Sequence, residues 1–275
     1  MRKVKKVTSK TNLINDLREI IEYKDLFLTL TLRDFKVKYA QTLIGLLWAF
    51  IQPIATIIIF SLIFGKAINV NTNGVEYPLF LVIGMSCWTF FSSVMMQSGN
   101  SIISSQEMIK KIYFPRLIIP LSKSIVGFVD FLIALLFVIV FMFYYGHNLD
   151  SKILYLPIFF IVLLMASLGT GIWLSALTIR FRDFQHITPF IVQFGLYASP
   201  VAYASQSIVN SLPKWLNILY FLNPIAGIIE GFRYSIIESY FLNEYFIISI
   251  LSSILIFISS IFYFKKIERK IADII

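Results

Sequence analysis

The sequence predicts an all-α polytopic membrane protein. It would have six transmembrane helices, an N-terminal amphipathic helix at the membrane interface, and short re-entrant helices on the outer side between spans five and six. Three observations carry this. Of the 275 residues, 58% are hydrophobic and only 14% charged, against about 45–50% and about 25% in soluble globular proteins. A soluble fold of this size has no core large enough for so much apolar surface. Six apolar stretches are long enough to cross roughly 30 Å of hydrocarbon at about 1.5 Å per residue. Finally, Lys and Arg fall on alternate connections: twenty lie on one side of the predicted membrane and four on the other.

The N-terminal extension, residues 1–41, carries ten of those basic residues and no early apolar core of a cleavable signal. Leu13, Leu17, Ile20 and Ile21 recur at helical spacing, as do Leu28, Leu32, Phe35 and Tyr39, with Arg33, Lys36 and Lys38 between and opposite them. That basic amphipathic pattern suits a helix lying along the inner headgroup layer. A small cytoplasmic helical cap is the alternative.

One membrane domain, residues 42–275, follows. Its spans are expected at about 42–63, 78–96, 118–145, 153–179, 187–204 and 245–264. Gln52-Pro53 in the first span and Ser199-Pro200 in the fifth permit kinks. In the fourth span, Gly169, Thr170 and Gly171 permit close helix approach. Asp130 is the only acidic residue within the spans proper, seven residues after Lys123. It reads as a buried acid hydrogen-bonded to neighbouring helices, or as the ionisable group of a proton relay. Residues 206–243 contain a short apolar piece, an Asn223-Pro224 break, and a second piece carrying Glu230, Arg233 and Glu238. Each of those charges costs roughly 2.5–3.5 kcal/mol at a helix centre on insertion scales. A seventh span would also put the basic C-terminus outside. The segment is therefore two short helices that re-enter or lie on the outer face, and both termini are cytoplasmic by the positive-inside rule.

The net charge of +9 then belongs to cytoplasmic loops rather than to nucleic-acid binding. A lone Cys87 forms no intrachain disulfide, and two histidines leave little for a metal site. There is no Walker phosphate loop, no H-E-x-x-H and no G-x-S-x-G, so no catalytic or metal-ligating residue is assigned. Among the 27 Phe, 14 Tyr and 4 Trp, the residues Trp48, Phe50, Phe194, Tyr197 and Tyr203 fall in spans one and five. They are candidates to line a conduit on whose aromatic faces sugars would stack, with belt or packing roles as the alternative.

Three motifs at the edges of the spans are more specific. They are LRDFKVKYAQTLIGLLWAFIQPIATIIIFSLIFG from Leu32, MIKKIYFPRLIIPLS from Met108, and the pair RFRDF from Arg180 and LNPIAGIIEGFR from Leu222. In this order, and over about Asp25 to Lys270, the chain resembles the permease subunit of bacterial ABC exporters for polysaccharides, the O-antigen and teichoic-acid class. The resemblance implies a multi-pass protein of the bacterial cytoplasmic (inner) membrane. It would work as a homodimer with two copies of a separate cytoplasmic ATPase, which holds the ATP and Mg; this chain would bind no cofactor. The substrate would be a lipid-linked glycan, taken from among the membrane lipids. A short coupling helix near Ser104–Tyr113 would dock on the ATPase through Glu107, Lys110, Lys111 and Tyr113, unless these are ordinary positive-inside charges. Arg182 and Asp183 would be a second contact or would pair with the N-terminal helix. Asn223, Pro224, Glu230 and Arg233 would belong to an outer gate, the last two pairing across one helix face. Spans one and five would meet across the dimer. A proton-coupled carrier using Asp130, an ABC exporter of small lipids or drugs, and an integral-membrane enzyme acting on lipid-linked sugars are the competing readings.

Overall fold

The computed structural model describes residues 19–40, 45–72, 74–148 and 150–274. Leu13 and Leu17, the first half of the N-terminal amphipathic pattern, and residues 41–44 at the start of the first expected span lie outside the described residues. Among the described residues every regular element is helical. In chain order these are α1 (Lys24–Phe35), α2 (Trp48–Phe60), α3 (Tyr77–Ser104), α4 (Gln106–Lys111), α5 (Ile118–Tyr144), α6 (Leu156–Arg180), α7 (Phe184–Ala198), α8 (Ser205–Ser211), α9 (Lys214–Phe221), α10 (Pro224–Ile236) and α11 (Phe246–Ile274). A π-helical turn, Lys36–Ala40, extends α1, and another, Ser61–Ala67, extends α2.

Five helices are long and apolar enough to cross a membrane: Trp48–Ala67, Tyr77–Ser104, Ile118–Tyr144, Ser151–Arg180 and Phe246–Glu268. They correspond to the first, second, third, fourth and sixth expected spans. The expected fifth is shorter, because α7 has 15 residues and spans about 22 Å. Ser199-Pro200 ends this helix instead of kinking it. The residue before a proline is pushed out of the helical region, and Ser199 is extended, at φ −110° and ψ 151°. The α9–α10 pair meets at 88° across the Asn-Pro break, as a broken span or a re-entrant loop would. Asn223 starts α10: its side-chain oxygen accepts from the Ile225 N–H at 3.2 Å and Pro224 takes the first helical position.

The core is organised around α3. In its most apolar stretch 78% of residues are buried, against 6% in the α2 span. Small residues make that centrality possible. Gly171 of α6 faces Ser98 of α3 so closely that an added Cβ would lie 2.6 Å from the Ser98 Cβ. On the opposite side of α6, a Cβ at Gly169 would lie 2.8 Å from the backbone of Phe257 in α11. The Gly-Thr-Gly signal is therefore a two-sided packing device that lets α6 fit between α3 and α11. Phe90, Phe131, Phe160 and Phe232 interlock at centroid distances of 5.1–5.8 Å, binding α3, α5, α6 and α10 together. Ser98 of α3 donates to the Pro120 carbonyl of α5 at 2.8 Å.

Candidate functional site

Three constellations concentrate the polar chemistry of this apolar chain. The first joins the helical hairpin to the end of α7. Arg233 and Glu230, three residues apart on α10, pair at 3.4 Å with 0% and 2% of their side chains exposed. The arginine also donates to the Val201 carbonyl at 2.9 Å and the Phe80 carbonyl at 3.4 Å, and its guanidinium lies 3.4 Å from the Phe80 ring centroid. Tyr240 donates to the other Glu230 oxygen at 2.8 Å. Two further clamps tie the same segments. Asn223 donates to the Ser199 hydroxyl at 2.9 Å, and the Tyr203 and Tyr220 hydroxyls are 3.1 Å apart. Ser249 of α11 receives the Gly227 N–H at 3.0 Å and donates to the Phe221 carbonyl at 2.8 Å. The turn after α7, the hairpin, α3 and α11 are thus bound by a buried polar network.

The second constellation fixes the N-terminal helix. Lys123 of α5 pairs with Asp34 of α1, while Lys38 and Tyr39 of the π-turn both bond Asp130 of α5. Asp130 is therefore held by neighbouring segments, as the structural reading of this acid anticipated. Burial first, and then the hydrogen bond to the Asp130 carboxylate, raises the Tyr39 phenol above its ordinary value, so it remains a donor. The two anchors on α5 are seven residues apart, about 10 Å along that helix. The end of α1 therefore runs up beside α5, with Lys38 exposed and paired with Asp130. Arg33 and Lys36 remain exposed, Arg33 pairing with its neighbour Asp34 at 2.9 Å.

The third lies at the connection between α3 and α5. The six-residue α4 stands where the sequence places a coupling helix, with Glu107, Lys110, Lys111 and Tyr113 exposed on and just after it. Arg116 anchors this connection to the last helix. Its N–H donates to the Glu268 carboxylate at 3.1 Å and its guanidinium to the Glu268 carbonyl at 2.7 Å.

A family model described as ABC-2 type transporter matches residues 25–237, well over half of the chain. The chain belongs to the ABC-2 type transporter family. Its relatives include an O-antigen export system permease protein, RfbA, of Klebsiella pneumoniae, 30% identical over 252 residues that make up 91% of this chain and 95% of the relative. A protein of the same description from Myxococcus xanthus is 24% identical, covering 80% and 84% of the two chains. The polysialic acid transport protein KpsM of Escherichia coli is 21% identical, covering 77% and 81%.

Within this ABC-2 permease the remaining predicted residues divide. Trp48 on α2 and Phe194 and Tyr197 on α7 are exposed. Phe50 and Tyr203 turn inward instead: Phe50 packs edge-on against Phe137 at 5.9 Å, and Tyr203 belongs to the hairpin clamp. Arg182 and Asp183 are exposed in the turn before α7, and among the described residues no ion pair joins them to α1. The sequence reading missed Ser199, Val201 and Ser249 as partners of the hairpin, and Glu268 as the partner of Arg116. Serines and backbone carbonyls carry no pattern of their own in a chain rich in serine. For Glu268, its acidic character inside the basic run 265–270 was the available signal.

Proposed function

We propose that this permease is the membrane subunit of an ATP-driven exporter that moves a lipid-linked cell-surface glycan across the bacterial cytoplasmic membrane. It would act as a homodimer with two copies of a separate cytoplasmic ATPase, on which ATP and Mg are bound. The observation that carries the reading is likeness over nearly the whole chain to permeases named for O-antigen export and polysialic acid transport. The geometry is in keeping with it. Only 6% of the α2 span is buried in the single chain, and an apolar row on α7 formed by Ile187, Phe190, Ile191 and Phe194 is exposed. A partner copy facing these helices would enclose a path with aromatic walls. The twenty-to-four distribution of basic residues favours cytoplasmic termini, with residues 1–41 as an interfacial extension and 42–275 as the transport domain.

In this mechanism closure of the ATPase pair on ATP pushes α4 through Glu107, Lys110, Lys111 and Tyr113, with the Arg182-Asp183 turn as a second contact. The displacement enters α3 and α5, and the α9–α10 hairpin opens as an outer gate hinged at Asn223-Pro224. Reconstitution with the partner ATPase tests this. Glycan movement should require hydrolysable nucleotide, and movement without it refutes the mechanism. Reversing the charge of Lys110 and Lys111 should abolish stimulation of the ATPase while leaving the assembled protein folded. Unchanged stimulation removes α4 from the coupling role.

A further inference from the structure

Phe80, whose carbonyl Arg233 of the hairpin grips, is near the start of α3, and α4 follows the end of α3. The coupling connection and the hairpin therefore sit at opposite ends of that span. One helix touches both. α11 is an unbroken helix of 29 residues with no glycine or proline to weaken it. At one end Glu268 holds the connection. Its carboxylate accepts the Arg116 N–H at 3.1 Å, and its carbonyl accepts the Arg116 guanidinium at 2.7 Å. Arg116 lies between α4 and the start of α5. Nineteen residues earlier on α11, about 28 Å along the helix, Ser249 holds the hairpin.

This second grip is specific. The break at Asn223-Pro224 leaves the last carbonyls of α9 and the first N–H groups of α10 without intrahelical partners. Ser249, fully buried, answers both sets. Its hydroxyl accepts the Gly227 N–H at 3.0 Å and donates to the Phe221 and Asn223 carbonyls, at 2.8 and 3.0 Å. A Cβ at Gly227 would come within 2.7 Å of the Phe246 carbonyl oxygen and of the Ser249 Cβ, so α10 and α11 are in close contact at this corner.

α3 also reaches the hairpin, through Phe80, but it is less free to move. In its most apolar stretch 78% of residues are buried, against 22% in α11. Displacing α3 disturbs close packing on every side. α11 meets its neighbours on one flank and presents Leu251, Leu255, Ile258 and Phe262 outward.

We infer that α11 is the rod that carries displacement of the coupling connection to the outer hairpin, with Glu268 and Ser249 as its positioning residues. The inference rests on the proposed coupling through α4 and supplies the link from there to the gate.

Glu268→Ala, Ser249→Ala and the double variant are reconstituted with the partner ATPase, and export and ATP hydrolysis are measured together. Each single variant should keep the stimulation of the ATPase, because α4 is untouched. Each should lower export per ATP by about tenfold, within the range that residues along a coupled path contribute. The two sites act in series, so the double variant should export no worse than the poorer single. Independent structural lesions at this separation would instead multiply, to about a hundredfold. A second readout needs no glycan. Hydrogen exchange across residues 214–236 is compared with and without a non-hydrolysable ATP analogue. The change seen in the parent complex should vanish in Glu268→Ala, and this decides the matter if Ser249→Ala fails to assemble. Several results overturn the inference and leave the transport reading standing: export per ATP at the parent's level in either single variant, loss of ATPase stimulation in Glu268→Ala, a double variant at the product of the singles, or a hairpin whose exchange ignores nucleotide in the parent or still responds to it in Glu268→Ala. A parent complex that exports without nucleotide overturns the transport reading, and the rod with it.

Discussion

Replacing Arg233 by Met removes the most deeply buried charge among the described residues and leaves its partner in place. Glu230, 2% exposed and 3.4 Å from the guanidinium, would keep the Tyr240 hydroxyl at 2.8 Å but lose its cation. The Val201 carbonyl would lose its 2.9 Å donor, and Phe80 the cation 3.4 Å from its ring centroid. Breaking a buried pair from one side costs about 3–5 kcal/mol, chiefly because the orphaned charge stays buried. Glu230→Gln should cost about as much, since it strands the arginine. The double variant is the decisive one. With neither charge present there is no uncompensated ion, the amide introduced by Glu230→Gln can still accept from Tyr240, and the Met side chain fills much of the arginine's volume. Its cost should fall below the sum of the singles by at least about 2 kcal/mol, against the roughly 0.3–0.5 kcal/mol scatter of independent sites. Equilibrium unfolding in mixed micelles of rising dodecyl sulfate fraction, followed by circular dichroism, measures all three. Additive costs would show that the two charges do not stabilise each other, and the latch between α10, α3 and the Val201 turn would have to be abandoned.

Other consequences are equally checkable. Gly169→Ala should destabilise the permease by about 1–3 kcal/mol through overpacking, because its Cβ would sit 2.8 Å from the Phe257 backbone; an unchanged unfolding midpoint would contradict that close approach. Asp34→Lys should free α1 from Lys123 and speed proteolysis around Lys24 and Lys36, and the exchanged pair Asp34→Lys, Lys123→Asp should restore protection. At the opposite end of α5, the hydrogen bond from His147 at 2.9 Å holds the Glu76 carboxyl below its ordinary value of 4.5. A depressed carboxyl contributes stability that is complete above its ordinary pKa and is lost as pH falls through the lower native value. Unfolding midpoints should therefore drop more steeply below about pH 4.5 in the parent than in Glu76→Gln, by less than about 1 kcal/mol because Glu76 is exposed; identical acid limbs would discount the pair.

Much of the architecture is set by composition and spacing alone. A bilayer imposes a length on every span and a cost on every charge, so five of the six expected spans, in their order, follow from one-dimensional pattern, while the expected fifth is too short and residues 214–236 form a bent helix pair. Gly169 and Gly171 marked a close approach, and the Asn223-Pro224 pair marked a break, because both are local consequences of side-chain size and backbone geometry. Asp130 stood out because an acid in a span demands a partner.

The tertiary structure decided who that partner is, and this could not be read along the chain. Lys38 and Tyr39 lie 91–92 residues from Asp130, and their meeting depends on how α1 climbs beside α5. The same holds for Arg233. Its i,i+3 neighbour Glu230 was legible, but the Val201 and Phe80 carbonyls and the Phe80 ring are set by packing of segments 32 and 153 residues away. Backbone carbonyls exist at every position and carry no sequence signal, so only the fold selects which of them face a buried cation. The cavity of about 430 Å³ between α2, α3 and α5 has the same origin: a hydrophobic pattern assigns residues to a membrane, while the gaps between helices arise from how three of them lean together.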